Sequence, residues 1–266
     1  MTTTWIVHRD APPDNLQNHR PRFIEFTVQK LTPAGELIWE LSVNELLRDQ
    51  GLQGLLYLST LEDLRVVVRG DTLHLNDVDV FPETLPEGVF RHGDIMLSLR
   101  NINTVMVIDP VDFKIRWIST GKVLRQHDPA FIDGNTISIF DNNNLLDDYF
   151  DNASGKRGAQ GQSSRIVTLS AADDEVAVVK YDGAPDNTFF TDAMGSHQWL
   201  PNGNLLVIEA RAGRVFEVAP DGTLLWELFN VIGPELLGAI NDAMRLDTRF
   251  DRAFFERIGS DCSTSG

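Results

Sequence analysis

Short runs of alternating apolar and polar residues, broken by Gly, Asp and Asn, recur through most of the 266-residue chain. Four segments share a strand–turn–strand ending: A-G-E-L-I-W-E-L (34–41), D-F-K-I-R-W-I (112–118), D-D-E-V-A-V-V-K-Y (173–181) and D-G-T-L-L-W-E-L (221–228). Each opens on a turn signal and continues with the period-two pattern of a half-buried strand. Three of them follow a paired strand of their own, within 96–109, 137–169 and 205–218, so each unit reads as four antiparallel strands. The last two unit ends, near Lys180 and Trp226, are spaced as β-propeller blades are, roughly 40–50 residues apart. The pattern predicts an all-β fold, a β-propeller of four-stranded antiparallel blades. It supplies three complete blades and a partial fourth from Phe23 to Leu41, an incomplete or N-terminally shortened ring.

Three stretches depart from this pattern. V-N-E-L-L-R-D-Q-G (43–51) predicts a short helix ending at Gly51, inside an insertion over 42–70. The polar segment 141–163 is a loop longer than a turn requires. After Trp226 the period changes: Leu236, Leu237, Ile240 and Met244 fall at helical spacing behind a proline, and a second helical piece carries Phe254, Phe255 and Ile258. The expected division is a propeller domain over 1–232 and a C-terminal helical extension with a flexible tail over 233–266.

Composition narrows the chemistry. A hydrophobic fraction of 42% supports a real core, and the net charge of −16 makes nucleic acid and anionic membranes poor partners. Cys262 is the single cysteine, so no intrachain disulfide and no cysteine zinc site is expected. The sequence has neither an apolar run long enough to span a membrane nor a signal-peptide pattern at its start. As written it is expected in the cytoplasm; a chain missing its leader, and so periplasmic or extracellular, would read the same. No GxSxG, HExxH, P-loop or GxGxxG motif is present.

The candidate chemistry lies in the histidines. His74, His127 and His197 open comparable strand pairs, the latter two followed by Gly134-Asn135 and Gly203-Asn204 turns. Radial repetition would aim all three at one axial site. Arg100 and Arg165, with Arg125 a weaker third, offer planar donor forks suited to oxyanions. His92 lies in a turn, and the Asp-rich start of the long loop does not match a calcium-binding spacing. Phe90, Trp199 and Tyr149 are candidates, by residue type, for an aromatic-ring surface.

Taken together, L-H-L-N-D-V (73–78), G-D-I-M-L-S-L-R-N-I-N-T-V-M-V-I-D (93–109), R-Q-H-D (125–128), T-I-S-I-F-D-N (136–142), S-S-R-I-V (163–167) and G-S-H-Q-W-L-P-N-G-N-L-L-V (195–207) resemble the bacterial arylsulfotransferase family. The resemblance covers roughly 23–230. It implies a propeller that moves a sulfuryl group from an aryl sulfate to a phenol through a sulfohistidine, with no cofactor and no metal. Carried over by motif, His197 takes the nucleophile's place, His127 and His74 those of acid and base, and Arg165 that of an oxyanion ligand. Arg100 is a further substrate contact. The partners implied are small aryl sulfates and phenols, and the oligomeric state stays open. Two alternatives remain: a non-catalytic ligand- or protein-binding propeller, and a quinone-dependent or lactonase-like propeller suggested faintly by 109–117.

Overall fold

The computed structural model describes residues 1–9, 19–62, 65–66, 68–144, 163–173, 176–185, 187–234, 236–246 and 248–263. Tyr149, most of the Asp-rich loop and the last three residues lie outside them. The chain forms two compact units, Met1–Gly195 and Ser196–Gly266.

The alternating segments become four-stranded sheets. In the first unit, β1 (Thr2–His8), β2 (His19–Leu31) and β3 (Leu37–Ser42) pair antiparallel in that order. Helix α1 (Val43–Asp49) follows, then a 3₁₀ turn over Gln53–Thr60 and a small ribbon of β4 (Leu61–Glu62) and β5 (Arg65–Val66). β6 (Val68–Gly70) returns to lie parallel to β2. The second sheet is an antiparallel meander of β7 (Leu75–Val80), β8 (Ile95–Leu99), β9 (Thr104–Ile108) and β10 (Ile115–Thr120). The third repeats it with β11 (His127–Phe131), β12 (Thr136–Asp141), β13 (Arg165–Ser170) and β14 (Val178–Tyr181). The expected helix is α1: Ser42 Oγ accepts the Glu45 amide at 3.2 Å, and Gly51 follows at φ +74°.

Period two decides how these sheets pack. Ile95, Leu97 and Leu99 of β8, with Met106 and Ile108 of β9, join Phe26 and Val28 of β2 and Leu46 and Leu47 of α1. The alternate residues Met96, Val105 and Val107 join Phe131, Ile137, Ile139, Val167 and Leu169 of the third sheet. The middle sheet is therefore apolar on both faces, each buried side chain contributing roughly 1.5–3 kcal/mol. Serial four-stranded meanders stacked face to face make this an all-β, propeller-like fold. The Gly134-Asn135 turn locks against the preceding sheet: Gly134 O accepts from Phe90 N at 2.8 Å and Asn135 Oδ1 from Val89 N at 2.9 Å. A Cβ on Gly134 would sit 2.1 Å from Gly88 N, so glycine is required there.

The second unit carries one such meander, β15 (Ser196–Trp199), β16 (Leu205–Glu209), β17 (Arg214–Val218) and β18 (Leu224–Phe229). The helix expected over 233–246 does not form. In its place are β19 (Val231–Gly233), β20 (Leu236–Leu237) and an extended segment along the sheet. Tertiary hydrogen bonds decide this. Gly238 N donates to Asn230 O and Ile240 N to Ala210 O, at 2.8 and 2.9 Å, while Asn230 Nδ2 donates to Gly238 O at 3.2 Å. Of the four helically spaced apolar residues, Ile240 packs on the sheet, whereas Leu236, Leu237 and Met244 are exposed. The second helical piece does form, as α2 (Arg252–Ser263).

Candidate active site

The three histidines open the first strands of three successive sheets, but at graded depth. His74 immediately precedes β7 and its carbonyl accepts from Arg100 N at 3.0 Å; His127 is the first residue of β11 and pairs with Phe140; His197 is the second of β15 and pairs with Val207. His197 is buried in the second unit. Its neighbours Ser196 and Gln198 bind Asp242 and Arg245 on one face of the sheet, so alternation turns the His197 side chain to the other.

His74, Arg100, Arg125 and His127 come together in the first unit. Nδ1 of His74 bonds the Asp71 carboxylate, which fixes the ring and makes Nδ1 the protonated nitrogen. Nε2 then carries the lone pair, with no hydrogen-bond partner among the described residues. Arg100 is half-buried; Nε donates to Asn101 Oδ1 at 3.3 Å, and the same oxygen accepts from Arg125 Nη1 at 3.1 Å. Burial, then the neighbouring Arg125 charge, lowers the Arg100 pKa, and Asp71 opposes them. Neither guanidinium has a carboxylate within ion-pair distance among the described residues. In a chain with 39 acidic and 23 basic residues this is a local cationic nest.

His127 is placed differently. Nδ1 donates to Asn142 Oδ1 at 2.7 Å and Nε2 accepts from Met194 N at 3.1 Å, so both ring nitrogens are engaged. Asn142 is fully buried and donates in turn to the carbonyls of Thr191 and Met194, both at 2.9 Å. Burial pushes the His127 pKa down to about 4; the Asn142 bond opposes this, and the charge of Arg100 adds to it. His127 is therefore neutral at physiological pH. Arg165 is likewise committed: Nε donates to Asp141 Oδ2 at 3.1 Å, and Nη2 bonds the same oxygen. Asp141 is fully buried, and its other oxygen accepts from Leu124 N and Asn143 N at 2.8 and 3.0 Å.

Backbone strain gathers around these groups. His74, Asn103, Arg125, Asp128, Asn143 and Met194 all hold left-handed φ between 47° and 63° without being glycine. Such residues cost roughly 1–3 kcal/mol each and cluster where a site dictates the chain path.

The arylsulfotransferase (ASST) family model matches residues 2–231. The chain belongs to the arylsulfotransferase family. A search of curated proteins finds no match. Family membership supports arylsulfotransferase-like chemistry on aryl substrates in general.

Several features of this arylsulfotransferase-family protein escaped the sequence. Asp71, Asn101, Asn142 and Met194 carry the second ring of contacts, and of these only Asn101 was adjacent to a candidate. Arg125 ranks with Arg100, above its standing on sequence. Phe90 offers no ring surface, because it is fully buried among Phe81, Trp117 and Phe131. Trp199, by contrast, is exposed in the second unit. His92 is a turn residue, its Nε2 donating to Leu85 O at 2.9 Å. No group of three or more metal-ligating side chains occurs among the described residues, nor any helix long and apolar enough to cross a membrane.

Proposed function

We propose that this protein moves a sulfuryl group from an aryl sulfate to a phenol, with the sulfuryl oxygens held at the Arg100–Arg125–His74 nest. The observation that carries the reading is this pair of neighbouring guanidiniums with no carboxylate at ion-pair distance among the described residues, in a strongly acidic chain of the arylsulfotransferase family.

Sulfuryl transfer, like phosphoryl transfer, asks the protein to position the reactants and to stabilise charge spread over the peripheral oxygens. Arg100 and Arg125 supply N–H donors for those oxygens. His74, oriented by Asp71, uses the Nε2 lone pair to take the acceptor phenol's proton in the second step, while the donor's aryl group leaves as a phenolate and takes its proton from solvent. Such a role typically contributes ~10²–10⁴-fold. The covalent role goes to His197, a residue of the second unit, on the family resemblance alone and not on geometry. An N–S bond forms as the S–O bond to the first aryl group breaks, and the second phenol then displaces the imidazole. His127 and Arg165 enter this reading as positioning groups: neutral His127 fixes the 191–194 segment, and Arg165 holds Asp141.

Incubation with 4-nitrophenyl sulfate and a phenol acceptor should release nitrophenol in proportion to acceptor. An acid-labile sulfuryl mass should map to the His197 peptide. Absence of acceptor-dependent release from a folded sample rejects the transferase reading. The second reading, a propeller that binds an oxyanion without turnover, is favoured by the engagement of both His127 nitrogens and of Arg165. It predicts sulfate binding with no adduct, unchanged in His197→Ala.

A further inference from the structure

Two like charges are held together here by a neutral group. Arg100 and Arg125 share Asn101 Oδ1, while Asn101 Nδ2 donates to the Asp71 carbonyl at 2.7 Å. Elsewhere in the same unit, arginines are held by carboxylates: Arg165 by Asp141, and Arg116 by Asp94 and Asp109. The carboxamide's orientation is fixed from both sides, since a flip would set its NH₂ against two guanidiniums and its oxygen against a carbonyl. An aspartate could accept from both arginines, but it would neutralise them and could not donate to Asp71.

We propose that Asn101 is a positioning residue whose neutrality keeps the joint charge of Arg100 and Arg125 for a tetrahedral oxyanion. It also ties that pair to the Asp71–His74 side of the nest. The proposal rests on reading the nest as the oxyanion site, and it goes beyond that reading by making the partner's lack of charge the determinant of affinity. A purely structural Asn101 would need an acceptor at Oδ1 and a donor at Nδ2; aspartate retains the first and alanine neither, so a structural role makes Asn101→Ala the more damaging variant.

The test is calorimetric titration of inorganic sulfate into the full chain and into Asn101→Asp and Asn101→Ala, at low ionic strength near neutral pH. Asn101→Asp should lower sulfate affinity by about tenfold or more, as the loss of charge-assisted bonds to the ligand implies. Its melting temperature should stay within a few degrees of the parent's. Asn101→Ala, which removes the tether without adding charge, should lose measurably but less. The proposal is overturned if the parent binds no sulfate, if Asn101→Asp binds it as tightly as the parent, or if Asn101→Ala loses more than Asn101→Asp. Should Asn101→Asp fail to fold, unchanged affinity in Asn101→Ala overturns it alone. Turnover plays no part in this assay: a protein that binds sulfate in this order yet transfers no sulfuryl group keeps Asn101's role and loses the transferase reading.

Discussion

The first unit contains two arginine–histidine sets with opposite fates. Arg165 is bound to a buried carboxylate, and His127 has both ring nitrogens hydrogen-bonded. Arg100 and Arg125 lean on an amide, and His74 leaves Nε2 open opposite a carboxylate-bound Nδ1. Residue type is the same in both sets, and what separates them is the partner. A carboxylate or a second hydrogen bond consumes a group's capacity to bind anything else; a neutral amide orients a cation and leaves its charge unspent. In the proposed reading the first set is structural, and the second meets the ligand.

The sharpest way to break this comparison is at Asp141. Asp141→Ala removes the partner of Arg165 and the acceptor of two backbone amides, leaving a partly buried cation uncompensated. Its expected cost is about 3–5 kcal/mol of stability, read from chemical denaturation. Little loss would mean that Arg165 is not structurally committed.

Next in size is the pH response of His127. Its pKa in the folded protein, about 4, lies below the ordinary 6.5, so the unfolded chain binds more protons between those values. The contribution of neutral burial is complete above pH 6.5 and is lost as the pH falls toward 4. It amounts to at most about 3 kcal/mol. Comparing denaturation curves for the parent and His127→Gln isolates this group from the acids that titrate in the same range. Parallel curves would put His127 in water, and so with the open set.

The smallest effect on folding belongs to the open set. Arg100→Met should weaken sulfate binding by about 10–100-fold. Its melting temperature should hold or rise, because a half-buried charge beside Arg125 is removed. A large loss of stability in this variant would move Arg100 into the structural set and erase the distinction.

The sheets were legible because period two is a local property. The turn signals and alternation across 96–109, 137–169 and 205–218 mark strands that the structure contains, and Gly51 follows α1 as read. The 233–246 segment was misread for the complementary reason. Its apolar spacing suits a helix, but Asn230 and Ala210, remote in sequence or across a turn, supply better partners for its backbone.

For the site, the sequence by itself determined which residue types lie at the starts of the sheet-opening strands, and the family to which they belong. Only the tertiary structure decided which of them remain available. His127 is engaged by an amide 67 positions away and Arg165 by a carboxylate 24 away, whereas Arg125 reaches Asn101 across the same 24 positions and stays unneutralised. Sequence spacing cannot tell those cases apart, because the charge, hydrogen-bonding direction and burial of the partner are set only when the sheets stack.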